Sequence, residues 1–134
     1  MAYDLFNSAW TGGHLYRHDL ESIFYVLLYL CVQYTRPGKQ VSASAKHKFP
    51  QPKFKPEPTD FFQHFASWLT EIQGQLCDGY CDYVRFRRSQ QIKLDEGLTF
   101  DDQTLGGHFT YAIVNGIMST FTGVELKERT ESLD

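Results

Sequence analysis

Two pairs of metal-capable side chains stand four residues apart: His14 with His18, and Cys77 with Cys81. On two helices facing each other they could make a His2Cys2 zinc site. Two features weaken that reading. His14 follows the Gly12-Gly13 turn and so precedes the helix, and helical Cys-x3-Cys is also what two small residues on one buried stripe look like. Ser22 lies three residues after Asp19, with His18 next to the acid, which invites a nucleophile–base–acid reading. Consecutive helical residues point to different faces, however, and no Gly-x-Ser-x-Gly turn presents a serine. Asp95-Glu96 and Asp101-Asp102 lack the spacing of a calcium loop. Gly106-Gly107 has no strand before it and no Lys after it to cradle a phosphate. The residues therefore nominate no catalytic, cofactor-binding or metal site.

The elements that would position these groups are mainly helical. Asp19 is a good N-cap and Glu21 suits the positive end of a helix dipole, so a first helix is expected from His18 or Asp19. Its apolar positions, from Leu20 through Ile23, Phe24, Val26, Leu27, Leu28 and Leu30 to Cys31, point in every direction. Such a helix is expected to be buried all round. Pro37-Gly38 should end it. A second helix is expected from Thr59 as N-cap. Phe61, Phe62, Phe65, Trp68, Leu69, Ile72 and Leu76 recur at spacings of three and four, and the stripe runs on toward Gln91 with a bend near Gly79. Thr110 should cap a third helix through Phe121, with Ile113, Val114, Ile117 and Phe121 inward and Gly123 ending it. No alternating strand pattern is visible.

Between these helices, residues 37–58 hold all five prolines and five lysines, a stiff surface loop with polyproline character. From Arg36 to Asp60 six basic residues face only Glu57 and Asp60, in a chain of net charge −3. The loop reads as a solvated insertion; a docking strip for an acidic partner or a ligand for an SH3-type groove are the rival readings. Residues 124–134 read as a polar, flexible tail.

The 134 residues fit one domain, and 42 % hydrophobic with 22 % charged residues is the balance of a soluble globule. At 16 % aromatic, packing should rest on rings as much as on aliphatics. The mild net charge gives no reason to expect nucleic acid or a membrane as partner. The ten-residue apolar run Ile23–Val32 is half of what a membrane span needs, and the first ten residues lack a signal peptide's basic head and apolar middle. Three cysteines make no disulfide framework. Reduced thiols in an intracellular protein, cytoplasmic or nuclear, are the expectation.

The run Arg17-His18-Asp19-Leu20-Glu21-Ser22-Ile23-Phe24-Tyr25-Val26-Leu27-Leu28 resembles a signature of the fungal-type protein kinase family, which carries a near-identical stretch in its large lobe. The resemblance implies that the helix corresponds to helix F, the apolar spine of that lobe. Asp19 then stands where the family's acid anchors the backbone of the catalytic loop. Ala2-Tyr3-Asp4 is similar to the Ala-Pro-Glu segment that closes the activation region, with Asp4 in place of Glu and Arg85, Arg87 or Arg88 as its possible partner. Phe100 to Met118 is similar to the end of many members.

On this resemblance residues 1–123 form a partial kinase C-lobe, helix F onward, interrupted by the Pro/Lys-rich loop. The parent activity would be transfer of the ATP γ-phosphoryl group to protein Ser/Thr, with ATP and Mg as cofactors of a full-length member. The sequence has no Gly-rich loop, no His-Arg-Asp loop with its Asn and no Asp-Phe-Gly. The expectation is a kinase-derived fragment, a pseudokinase-like remnant that is inactive and cofactor-free by itself, starting after the catalytic parts. The alternative is a non-catalytic helical interaction module. In either case Asp19 should turn to solvent or serve only as the cap. Apolar surface left uncovered should favour self-association or a protein partner.

Overall fold

The computed structural model describes residues 8, 11–41, 57–92 and 97–127. Ala2, Tyr3 and Asp4, most of the Pro/Lys-rich loop, Asp95-Glu96 and the last seven residues lie outside the described residues. The architecture is mainly α, as expected: α1 (Tyr16–Gln33), α2 (Ala66–Gln91) and α3 (Tyr111–Met118) carry the core, with a 3-10 helix at Asp60–Phe65 leading into α2. Two small antiparallel hairpins complete it, β1 (Tyr34–Arg36) with β2 (Lys39–Gln40) and β3 (Thr120–Phe121) with β4 (Val124–Glu125). No helix among the described residues is long and apolar enough to cross a membrane.

The boundaries differ from the sequence reading in five places, each for a local reason. α1 begins three residues before Asp19, with Leu15 as its N-cap in extended conformation. His18 at the third helical position accepts a bond from the Leu15 N–H through Nδ1 at 3.0 Å, the part a Glu or Gln plays in a capping box. At its other end α1 stops at Gln33, before Pro37-Gly38. That dipeptide instead turns the β1–β2 hairpin, with Gly38 at φ 75°. Thr59 does not cap α2: its hydroxyl donates to the Tyr34 carbonyl at 2.6 Å, tying the returning chain to the end of α1. Thr110 does cap α3, its oxygen accepting from the Ile113 N–H at 3.2 Å, but the helix ends at Met118. Phe121 then lies in β3, and Thr122-Gly123, both at positive φ, make the tight turn of the β3–β4 hairpin. Val124 and Glu125, read as the start of the tail, close that hairpin.

The core joins Leu20, Phe24, Leu28, Cys31 and Val32 of α1 to Leu69, Ile72 and Leu76 of α2, Val114 of α3, and Leu105 and Phe109 of the connecting segment. α1 is therefore not buried all round. Ile23, Val26 and Leu30 are 61 %, 57 % and 43 % exposed, because α2 and α3 cover only one side of it. α2 shows the predicted single stripe and runs unbroken past Gly79. The glycine serves packing instead: a Cβ there would lie 2.8 Å from Leu105 Cδ2 and 3.1 Å from His108 Cβ. Leu105 itself sits at φ 54°, a strained conformation for a leucine, held by its complete burial against α2.

At the far end of α2, Trp68, Phe65 and Phe121 meet edge-on, with 5.2 Å between the Trp68 and Phe121 ring centres. The Trp68 indole N–H donates to the Thr120 carbonyl. The aromatic content thus binds β3 to α2, as aromatic-based packing would.

Candidate functional site

The chemistry-bearing residues converge at the head of α1. Arg17 and Glu21 stand one turn apart, their side chains 3 % and 0 % exposed, with Arg17 Nη1 2.5 Å from Glu21 Oε1. Two carbons-rich helices could not shield such a pair without further polar partners, and residues distant in sequence supply them. Arg17 Nε donates to the Asp102 carbonyl at 2.7 Å and Nη1 to the Tyr80 hydroxyl at 3.2 Å. That hydroxyl donates in turn to the Glu21 carboxylate at 3.3 and 3.4 Å, while the guanidinium lies 5.6 Å from the centre of the Tyr80 ring. The N-terminal N–H of Tyr16 donates to Gln103 Oε1 at 2.9 Å, and the Tyr16 hydroxyl accepts from the Tyr111 N–H at 2.9 Å. Segment 97–110 is in this way strapped across the start of α1.

Asp19 lies on the opposite side of the same turn. Its side chain is 75 % exposed and faces His14 Nε2 at 3.4 Å. It does not cap the helix, whose N-cap is Leu15, and its carboxylate turns to solvent. Ser22 donates its hydroxyl to the His18 carbonyl at 2.7 Å, and the His18 ring is fully buried with Nδ1 facing the Leu15 amide. His18, Asp19 and Ser22 assemble no hydrolytic triad: the Ser22 hydroxyl is spent on the His18 carbonyl, His18 Nδ1 on the Leu15 amide, and the Asp19 carboxylate faces His14 and solvent. His14 and His18 do meet edge-on at 5.5 Å, but no three His, Cys, Asp or Glu among the described residues could hold a metal ion together. The cysteines are free thiols. Cys31 is buried, and desolvation pushes its pKa up to about 11; Cys77 is half-buried and Cys81 exposed.

A second polar cluster joins α2 to segment 97–110. His108 Nε2 lies 2.7 Å from Asp82 Oδ2, and Arg85 Nη1 2.9 Å from Asp82 Oδ1. The bond from His108 holds the Asp82 carboxyl below its ordinary value, with Arg85 adding to it against the opposing effect of burial. A carboxyl lowered in the folded state favours folding at any pH above its unfolded value of ~3.9, and that contribution disappears as pH falls through the lower folded value. In a His108→Gln variant the Asp82 titration followed by NMR should move up toward the ordinary carboxylate range. An unchanged midpoint would show that His108 does not set it. Of the arginines proposed to reach Asp4, Arg85 is engaged here.

The sequence reading missed the Arg17–Glu21–Tyr80 cluster. Its signal was present as a cation and an acid at i and i+4, but that spacing usually marks a wet helix face. Nothing in it tells that Tyr80 and Asp102 come to bury it.

Beside this head, α1 and α3 enclose an apolar groove of about 200 Å3, floored by Leu20, Phe24, Ile72 and Val114 and edged by Ile23, Leu27, Tyr111 and Met118. No protein-family model matches the chain, and neither does any curated protein or solved structure.

Proposed function

We infer that the chain is the helix-F-onward part of a fungal-type protein kinase large lobe, whose parent activity is ATP-dependent phosphorylation of protein Ser/Thr and which is catalytically silent by itself. The reading rests on the run Arg17 to Leu28, with one structural observation that carries it furthest. Asp19 stands near the head of a helix that carries no charge after Glu21, and it turns its carboxylate to solvent while the flank of that helix at Ile23, Val26 and Leu30 stays uncovered. A single-domain surface helix has its polar residues on the wet side. Here the wet side past Glu21 is apolar, as in a helix shaped to be enclosed by further protein.

The alternative is a free-standing, non-catalytic module of kinase origin that uses the same uncovered flank to bind protein. Both readings expect no nucleotide site, because the Gly-rich, His-Arg-Asp and Asp-Phe-Gly motifs are not in the sequence. Calorimetric titration with ATP and Mg should therefore show no saturable heat, and no phosphoryl transfer to a protein substrate should be detectable. Saturable binding or transfer would overturn the reading. Mapping the 5′ end of the transcript separates the two forms. Upstream codons for those three motifs make the chain part of an enzyme, whereas a start at Met1 makes it the module.

A further inference from the structure

Cys77 and Cys81 stand one turn apart on α2, and neither belongs to its buried stripe. Trp68, Leu69, Ile72, Leu76 and Gly79 form that stripe, whereas Cys77 is half-buried and Cys81 exposed. Residues at i and i+4 lie one above the other on a helix, so both thiols share one outward face. That face is open: a Cβ on Gly74, three residues before Cys77, would meet nothing within 4 Å. Cys77 Sγ accepts from Gln73 Nε2 at 3.7 Å, a weak bond that a change of side-chain rotamer releases. The Cys81 side chain leans toward the preceding turn, and so toward Cys77, as helical side chains do.

We propose that Cys77 and Cys81 form a two-thiolate site for a soft monovalent cation, copper(I), on a single turn of α2. The spacing selects a bridged pair over a disulfide. A disulfide needs Cβ atoms about 3.5–4.5 Å apart, and residues i and i+4 of a helix hold theirs at about 5–6 Å. A metal between the sulfurs lengthens the link. Two bonds of about 2.3 Å set the sulfurs up to about 4.6 Å apart, which that spacing accommodates without unwinding the helix.

The number of ligands selects the ion. Thiolates favour copper(I), zinc and iron–sulfur clusters. Zinc and the clusters take three or four protein ligands, and no three His, Cys, Asp or Glu among the described residues could gather round a metal. Copper(I), a filled-shell ion, is satisfied by two thiolates in line. One Cu+ and two thiols give a bis-thiolate complex of charge −1 and release two protons. Asp82, next to Cys81 in sequence, already pairs with Arg85 and His108. Arg88, exposed and seven residues after Cys81, lies on the same row and offers the anionic complex a cation. Cys31 does not compete: it is 1 % exposed in the core, and burial pushes its thiol up to about 11. The site goes beyond the kinase reading, and the outcome of a nucleotide titration leaves it untouched.

Titrating the reduced full chain with copper(I) under nitrogen, against the coloured chelator bicinchoninate, tests the site. One copper per chain should be withdrawn from the chelator. Iodoacetamide with peptide mass mapping should modify Cys77 and Cys81 in the metal-free chain and neither in the loaded one, with Cys31 unmodified in both. Cys77→Ser and Cys81→Ser should each weaken binding at least about a hundredfold, because the second sulfur is no longer held beside the first. Unchanged circular dichroism would show that both variants fold. Zinc in equal amount should give no protection. Copper left wholly with the chelator, a serine variant that binds like the parent, one copper shared between two chains, or equal protection by zinc would each overturn the proposal.

Discussion

Replacing Glu21 by Ala should lower the stability by about 3–5 kcal/mol, the usual loss when one member of a buried ion pair is removed. The Arg17 guanidinium would remain, 3 % exposed, between α1, Tyr80 and the Asp102 carbonyl, with the Glu21 carboxylate removed from beside it. Against the ~5–15 kcal/mol that holds a domain of this size together, that is a large share. A thermal melt should move down by roughly 10–20 °C or lose its cooperativity. The double variant Arg17→Met/Glu21→Leu separates burial of a charge from loss of the pair. Apolar residues of similar volume remove the desolvation term as well as the attraction, so the double variant should recover most of the loss. Tyr80→Phe deletes one neutral bridging hydroxyl and should cost only about 0.5–1.5 kcal/mol. A Glu21→Ala protein that melts within a few degrees of the parent would mean that water reaches the Arg17 head after all.

Phe109→Ala should be nearly as damaging, at about 3–5 kcal/mol, while Phe61→Ala should stay under about 1 kcal/mol. Phe109 is completely buried in the cluster shared by α1, α2 and α3, and its amide bonds the Thr104 carbonyl at 2.8 Å. Its removal leaves a cavity at the point where segment 97–110 enters the core. Leu105, kept at positive φ only by packing, would then have less to hold it there. Phe61 is 55 % exposed and rests mainly against the ring of Phe62, 4.9 Å away. Urea unfolding of the two variants side by side provides the comparison. Equal midpoints would contradict the burial that separates them.

Both phenylalanines look alike in the sequence, and the contrast between them shows where local reading ends. The stripe from Trp68 to Leu76 and the cap at Thr110 were legible because period and hydrogen-bond chemistry act within one or two turns of helix. The hairpins were not, since strands of two or three residues are too short to show an alternation. The apparent cap at Asp19 failed because His18 and Leu15 close the helix one turn earlier.

The same boundary runs through the head of α1. Arg17, His18, Asp19 and Glu21 are four titratable residues in five positions, and the sequence alone determines that they start a long apolar helix. Which of them are buried was decided by tertiary structure. Tyr80 and Asp102, 63 and 85 residues from Arg17, close over Arg17 and Glu21, while the Asp19 side chain stays 75 % exposed. Burial depends on what the rest of the chain brings to a surface, and helix periodicity carries no record of it. For that reason a helix that reads as buried all round from Ser22 onward keeps one apolar side in water.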